Sequence, residues 1–305
     1  MTLSVSVIIP TLNGEKWLDS LLAALHKQTL AIADILLVDS GSTDNTLHIA
    51  RRYKVKIHTI EGRDFDHGTT RTLAAGLVTG DILVYMTQDA IPTAKDSLQR
   101  LIQPLAQEQV AAAYGRQLPA KDANVFSEHL RLFNYPDQSQ IRCWQDRKRF
   151  GFKTIFISNS FAAYRRDVLA AHGFFPAKQL FGEDTLTVAK LIENGYCVAY
   201  VSEACVWHSH NYSITQDFKR YFDIGVFHVE QSDQLSKFGG PGGAGRKYVL
   251  SELSLLCSRK EYALLPESLL RNFGKFVAYT LGNHYRSLPR WFAARLSMHR
   301  NWWNT

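Results

Sequence analysis

Apolar residues recur at two different spacings along the first half of the chain. The stretches "SVSVIIP" (4–10), "DILLVD" (34–39), "VKIHTI" (55–60) and "DILVYM" (81–86) are short and nearly continuous, as in strands buried on both faces. Between them "GEKWLDSLLAALHKQ" (14–28), "STDNTLHIARRY" (42–53) and "HGTTRTLAAGLV" (67–78) carry apolar residues at helical spacing. Ser42 is a candidate N-cap of the second helix and Asp44 falls in its first turn. Strand and helix alternating in this way predict an α/β fold, a mostly parallel sheet with helices on both faces. In such sheets ligands bind at the C-terminal edges of the strands. The second half is more mixed, with a helix predicted over 183–194, a strand at "YCVAYVS" (196–202) and a break at "GGPGGAG" (239–245).

Composition narrows this picture. Of 305 residues 46% are hydrophobic and 21% charged, which excludes a disordered chain. No window approaches the roughly 18 consecutive apolar residues of a membrane span. The N-terminus opens directly into "LSVSVIIP" without a basic n-region, so no secretory signal is expected. Cys143, Cys197, Cys205 and Cys257 form no C-x-x-C pair, which predicts reduced thiols in a cytoplasmic protein and neither a disulfide framework nor a zinc knuckle. The net charge of +7 sits entirely in residues 241–305, which hold ten Lys/Arg and three Asp/Glu. There Leu269, Leu270, Phe273, Phe276, Val277 and Leu281 recur at helical spacing, near Trp291, Trp302 and Trp303. Two readings stand side by side: an amphipathic helix on anionic lipid, or a helix packed on the main domain. A neutral first 240 residues argues against nucleic acid.

Polar residues cap four predicted strands: Thr11 and Asn13, Asp39, Asp66 with His67, and Asp89. A lone Asp at a strand end is ordinary turn chemistry, but the α/β rule brings these four ends to one edge. The first turn, "PTLNGE", has one glycine and lacks the G-x-G-x-x-G of a dinucleotide-binding domain. "GPGGAGRK" (240–247) has Arg246 and Lys247 where a P-loop needs Lys and Ser/Thr, and no strand precedes it.

The stretches "SVIIPTLNGEKWLDSLLAALHKQ", "ILLVDSGSTDNT", "ARRYKVKIH", "GDILVYMTQDA" and "FGEDTLTVAKLIENGY" occur in order over about residues 4–210. They closely resemble the inverting nucleotide-sugar glycosyltransferases of family two, which have the GT-A fold. "FDHGTTRTLAAG" (65–76), "VWHSHNYS" (206–213) and "GKFVAYTLGNHYRSLPRW" (274–291) are similar to bacterial rhamnosyltransferases that use dTDP-L-rhamnose, although that pattern has Asn at Asp66 and Thr72. The resemblance implies a catalytic domain over 1–238, with a nucleotide half to about 115 and an acceptor half beyond it. A glycine-rich linker and basic helical extension would follow over 239–305.

By the same resemblance Pro10, Thr11, Asn13 and Glu15 line the nucleoside pocket, Gly41 and Ser42 shape the next turn, and Asp39 accepts the pyrimidine imide N–H. A carboxylate acceptor there selects uracil or thymine over cytosine, whose N3 carries no proton. Asp66, His67, Arg71, Gln88 and Asn159 join the nucleotide-sugar site, Arg71 as a partner for the diphosphate. "TQDA" corresponds to a D-x-D-type metal motif in which Gln88 and Ala90 replace the outer acids. Asp89 and His208, with His210 in reserve, would hold Mg²⁺ or Mn²⁺. Glu183 and Asp184 match the family's acidic pair, with Asp184 as general base and Glu183 as second choice; the alternative is two acids complementing a helix dipole.

The expectation is a metal-dependent inverting glycosyltransferase on the cytoplasmic face of the inner membrane. It would move L-rhamnose from dTDP-L-rhamnose to a polyprenyl-diphosphate-linked glycan in O-antigen synthesis. A transferase using a UDP-hexose, or a non-catalytic sugar-nucleotide-binding protein, are the alternatives. The chain has no membrane span and no Q-x-x-R-W motif, which argues against a processive synthase.

Overall fold

The computed structural model of the protein describes residues 3–239 and 244–304; residues 240–243 of the predicted glycine-rich break lie outside them. The chain starts with the predicted alternation: β1 (Val5–Thr11), α1 (Glu15–His26), β2 (Asp34–Asp39), α2 (Thr46–Arg52), β3 (Lys56–Thr59), α3 (His67–Gly76) and β4 (Ile82–Met86). It continues through β5 (Ile91–Pro92), α4 (Ser97–Ile102), β6 (Val110–Leu118), α5 (Val125–Asn134), β7 (Gln140–Arg142) and α6 (Arg147–Phe150). Then come β8 (Phe161–Arg165), α7 (Arg166–Ala171), α8 (Glu183–Glu193) and β9 (Cys197–Trp207). The last third is helical: α9 (Ile214–Glu230), α10 (Ser232–Leu235), α11 (Ala244–Ser258), α12 (Leu265–Asn283) and α13 (Arg290–Leu296).

The described strands form one sheet in the order β3-β2-β1-β4-β8-β6-β9-β5, with β7 beside β9. β3, β2, β1 and β4 run parallel. β8 is antiparallel to both β4 and β6, and β6 is parallel to β9. Alternate residues of β1 feed opposite layers, as strand geometry requires. Val7 and Ile9 pack with Leu18, Leu21, Leu22 and Leu25 of α1, while Ile8 packs with Tyr85, Tyr164 and Leu186 on the other face. Each such fully buried leucine stabilises the fold by about 1.5–3 kcal/mol.

The structure departs from the sequence reading at three places. First, α2 starts at Thr46, so Ser42 lies in the preceding loop, and Asp44, also ahead of the helix, accepts from the Thr46 amide at 3.0 Å. Second, β9 runs on to Trp207 because a register shift after Gly115 moves the β6 partner from Val201 to Cys205, absorbing the polar interruption at Ser202 and Glu203. Third, β7 pairs with β9, and this brings Cys143 and Cys197, 54 residues apart, into a disulfide with Cα atoms 4.4 Å apart. Cys205 and Cys257 are free thiols.

In α12, where the sequence left two readings open, the amphipathicity is turned inside out. Ser268, Arg271, Lys275, Ala278 and Gly282 face inward, whereas Leu269, Leu270, Phe273 and Phe276 are 55–67% exposed. Close packing on α9 explains why polar residues can lie underneath. A Cβ on Gly225 would sit 2.4 Å from the Tyr279 carbonyl, and one on Gly282 would sit 2.2 Å from the Phe222 carbonyl. The two helix backbones therefore touch. Arg271 reaches Asp217 of α9 at 2.7 Å, and Ser268 and Asn272 donate to buried Glu252 of α11.

Candidate active site

The loops after β1 and β2 are laced together by the residues predicted there. Asn13, in the left-handed region at φ 48°, accepts from the Thr43 amide through its side chain, and its own amide donates to Ser42 Oγ. Glu15 accepts from the amide and side chain of Asn45, and the Glu15 amide donates to Asp44. Pro10 and Thr11 end β1 beside Asp39 in the β1–β2 register. Asp39 is fully buried. Its Oδ2 accepts from the amides of Gly41 and Ser42, while Oδ1 has no hydrogen-bond partner. A buried bare acceptor is costly unless something donates to it, so this oxygen fits an imide N–H. Gln88 plays a different part from the one expected: both ends of its amide bond the backbone of Leu12, so it latches the β4 loop to the β1 loop.

Asp89 follows β4, and β9 delivers His208 and His210 opposite it. His208 Nε2 lies 3.4 Å from Asp89 Oδ1, and His210 Nε2 lies 3.6 Å from Oδ2. One ligand atom from each of the three residues falls within 4.8 Å of the others. Burial holds both imidazoles below their ordinary range, His210 at about 4. Burial disfavours the Asp89 carboxylate too, but its contact with His208 and the proximity of His210 outweigh it and keep Asp89 ionised. An anionic carboxylate beside two neutral imidazoles fits a divalent cation.

Glu183 and Asp184 open α8, and they behave differently. Gly182 before them adopts φ 77°, and a Cβ there would lie 2.7 Å from the Phe227 ring, so the approach to the pair needs glycine. Glu183 is buried against Arg71, 3.0 Å away, and accepts from Asn159 Nδ2 at 3.1 Å. Its burial opposes ionisation, but Arg71, His67 and Asn159 prevail and lower its pKa. Arg71, expected to meet a diphosphate, is thus paired through Nη1 with a buried carboxylate. Asp184 is half-buried. It accepts from the amides of Asn159 and Thr185, yet burial and the neighbouring Glu183 push it up to about 7. Carboxylates at such values work as general bases near neutrality.

Asp66 turns out to be the side-chain cap of α3, accepting from the Thr69 amide at 2.7 Å. His67 stacks edgewise on Phe65 and packs against His299 of the C-terminal segment, ring centroids 6.0 Å apart. Trp207 is 38% exposed at the end of β9.

A profile described as "Glycosyl transferase family 2" matches residues 6–173. The chain belongs to this family. Among curated relatives, this glycosyltransferase is 41% identical to the O-antigen chain rhamnosyltransferase RfbN of Salmonella typhimurium and 42% identical to WbaN of Salmonella anatum. Each match spans 99% of this chain and 96% of the relative. Its fold is similar to that of the mannosyltransferase PcManGT of Pyrobaculum calidifontis, solved with GDP-Man and Mn²⁺, at TM-score 0.65 and 17% identity over 94% of this chain and 89% of that one. It is also similar to residues 1–349 of S. aureus TarS in complex with UDP-GlcNAc, at TM-score 0.57 and 17% identity over 93% and 91% of the two chains. These likenesses identify the GT-A fold predicted from sequence.

Sequence reasoning passed over several residues of this family 2 site. Gln117 on β6 accepts from Arg131 of α5 and contacts His208. Asn159 Oδ1 accepts from Tyr164, which fixes the side-chain amide that donates to Glu183, while the Asn159 backbone amide donates to Asp184. Gln117 and Arg131 lie in segments without a motif, and only the β6–β9 pairing brings them to the histidines.

Proposed function

We propose that the protein transfers L-rhamnose from dTDP-L-rhamnose, with inversion, to a sugar of a lipid-linked glycan in O-antigen synthesis. It would work at the cytoplasmic face of the membrane with Mn²⁺ or Mg²⁺. The identity to rhamnosyltransferases along nearly the whole chain supports the sugar and the pathway. The single geometric observation that carries the chemistry is the placing of Asp184 at the start of α8, half-buried next to Glu183 with its carboxylate held by the Asn159 and Thr185 amides; burial and Glu183 push it up to about 7.

Asp39 Oδ1 accepts the thymine imide N–H. Asp89 and His208, with His210 in reserve, would hold the cation, which would supply positive charge for the departing diphosphate. Asp184 takes the proton of the acceptor hydroxyl. That oxygen attacks the anomeric carbon opposite the diphosphate, the bond from carbon to phosphate oxygen breaks, and dTDP leaves. Glu183 stays ionised through its pair with Arg71, and its charge keeps Asp184 basic enough for the transfer.

The outward stripe of α12, with the basic excess of residues 241–305, supports attachment to anionic lipid. No helix among the described residues is long and apolar enough to cross a membrane. A cytoplasmic location predicts that Cys143 and Cys197 are reduced in the cell, and the β7–β9 ladder joins the two segments without the bond. Alkylation after acid quenching and denaturation should label all four cysteines, buried Cys197 included; protection of that pair would contradict the location.

Incubation with dTDP-rhamnose or UDP-sugars, a glycolipid acceptor and Mn²⁺ or Mg²⁺ tests the reaction by nucleotide release. Release from dTDP-rhamnose, abolished by EDTA, is expected. Release from UDP-hexoses alone would remove rhamnose from the proposal, and release unaffected by EDTA would remove the cation.

A further inference from the structure

We infer that Gln117 is a positioning residue for the cation site: its side-chain carbonyl holds His208 in the Nδ1–H tautomer and turns a bare Nε2 toward Asp89. This inference rests on the proposed role of Asp89 and His208 as cation ligands. Which end of the Gln117 amide faces His208 follows from Arg131. The guanidinium can only donate, and its Nη1 lies 2.7 Å from Gln117 Oε1. The atom that Arg131 touches is therefore the carbonyl oxygen. The opposite end, Nε2, donates to Ser158 Oγ at 3.0 Å, which fits the same orientation.

His208 Nδ1 lies 2.9 Å from that same oxygen. Oxygen brings lone pairs only, so Nδ1 must bring the proton. A neutral imidazole carries one N–H, and Nε2 is left as an acceptor. It faces Asp89 Oδ1 at 3.4 Å, so two acceptors confront each other with no hydrogen between them. A cation placed there turns the repulsion into two bonds.

The backbone prepares this alignment. Gln117 pairs with Val206 in the β6–β9 register, and His208, two residues on, shares the face of Val206. The His208 amide donates to the Leu118 carbonyl, which fixes the loop immediately after the strand. Gln117 is 1% exposed and His208 6%, so water competes poorly for the bond between them.

The test compares wild type with Gln117→Leu and Gln117→Glu. Nitrogen-15 NMR of labelled histidine reads the His208 tautomer in the metal-free protein. Mn²⁺ titration with dTDP present, followed by the EPR signal of free Mn²⁺, reads affinity without turnover. Wild type should show the Nδ1–H form. Gln117→Leu should mix the tautomers and weaken Mn²⁺ about 10–100-fold. Gln117→Glu keeps an acceptor toward both Arg131 and His208 and should stay within about threefold of wild type. A wild-type protein that binds no Mn²⁺ would sink the cation reading. A Mn²⁺-binding wild type with His208 protonated at Nε2, or a Gln117→Leu variant of unchanged affinity, would sink the Gln117 inference alone. The wild-type spectrum decides even if the leucine variant does not fold.

Discussion

Arg71 and Arg271 each meet a carboxylate in the interior, Glu183 at 3.0 Å and Asp217 at 2.7 Å. Around Arg271 the partners are plentiful: Glu267 at 2.8 Å, the Tyr212 carbonyl at 2.9 Å, and Lys275 3.9 Å from the same Asp217. Around Arg71 there is one charged partner, Glu183, and the same Nη1 also meets the His67 carbonyl at 3.1 Å and ring Nδ1 at 3.2 Å. The Arg71 Nε is buried without a hydrogen-bond partner, and the next carboxylate along, Asp184, is raised by burial and by Glu183. A buried pair whose neighbours are also satisfied fastens one helix to another. A buried pair that leaves a second carboxylate uncompensated stores basicity, and that one group is where a substrate proton can go.

Substitutions should separate the two. Asp184→Asn should lower kcat about 10²–10⁴-fold, the range of a lost general base, with calorimetric donor affinity unchanged. Asp217→Asn should do the reverse. It leaves Arg271 buried with only Glu267 as a charged partner, costing about 3 kcal/mol in denaturant unfolding, while the pH profile of turnover stays in place. A smaller effect belongs to the outer face of α12. Phe273→Ser with Phe276→Ser should weaken binding to anionic vesicles about tenfold or more, since each buried Phe contributes about 1.5–3 kcal/mol. Stability should stay within about 0.5 kcal/mol per exposed site. Unchanged vesicle binding would remove the membrane role of α12.

The same contrast explains what the sequence disclosed. The strands of the first half were legible because burial on both faces leaves an apolar run. Asp39, Asp89, Asp184 and His208 were legible as strand-end or helix-start residues within a motif set. Arg71, Gln88 and Asp66 were assigned to ligand, yet the structure engages them with Glu183, Leu12 and Thr69. Spacing tells which residues share an edge, not which satisfy one another. Gln117 and the Cys143–Cys197 pair stayed hidden because both depend on strands far apart in sequence pairing with β9. The apolar period of α12 was read correctly, but periodicity cannot say which face looks inward when glycines let a polar face pack closely.

The pH dependence of kcat at saturating donor and acceptor tests most directly whether Asp184 is the base. Protonated Asp184 cannot accept a proton, so the rate should fall about tenfold per pH unit below an apparent value near 7 and level off above it. Glu183→Gln removes the charge that raises Asp184 and should move this limb to lower pH. A profile flat from about pH 5.5 to 8.5, or a limb unmoved in Glu183→Gln, would contradict the assignment.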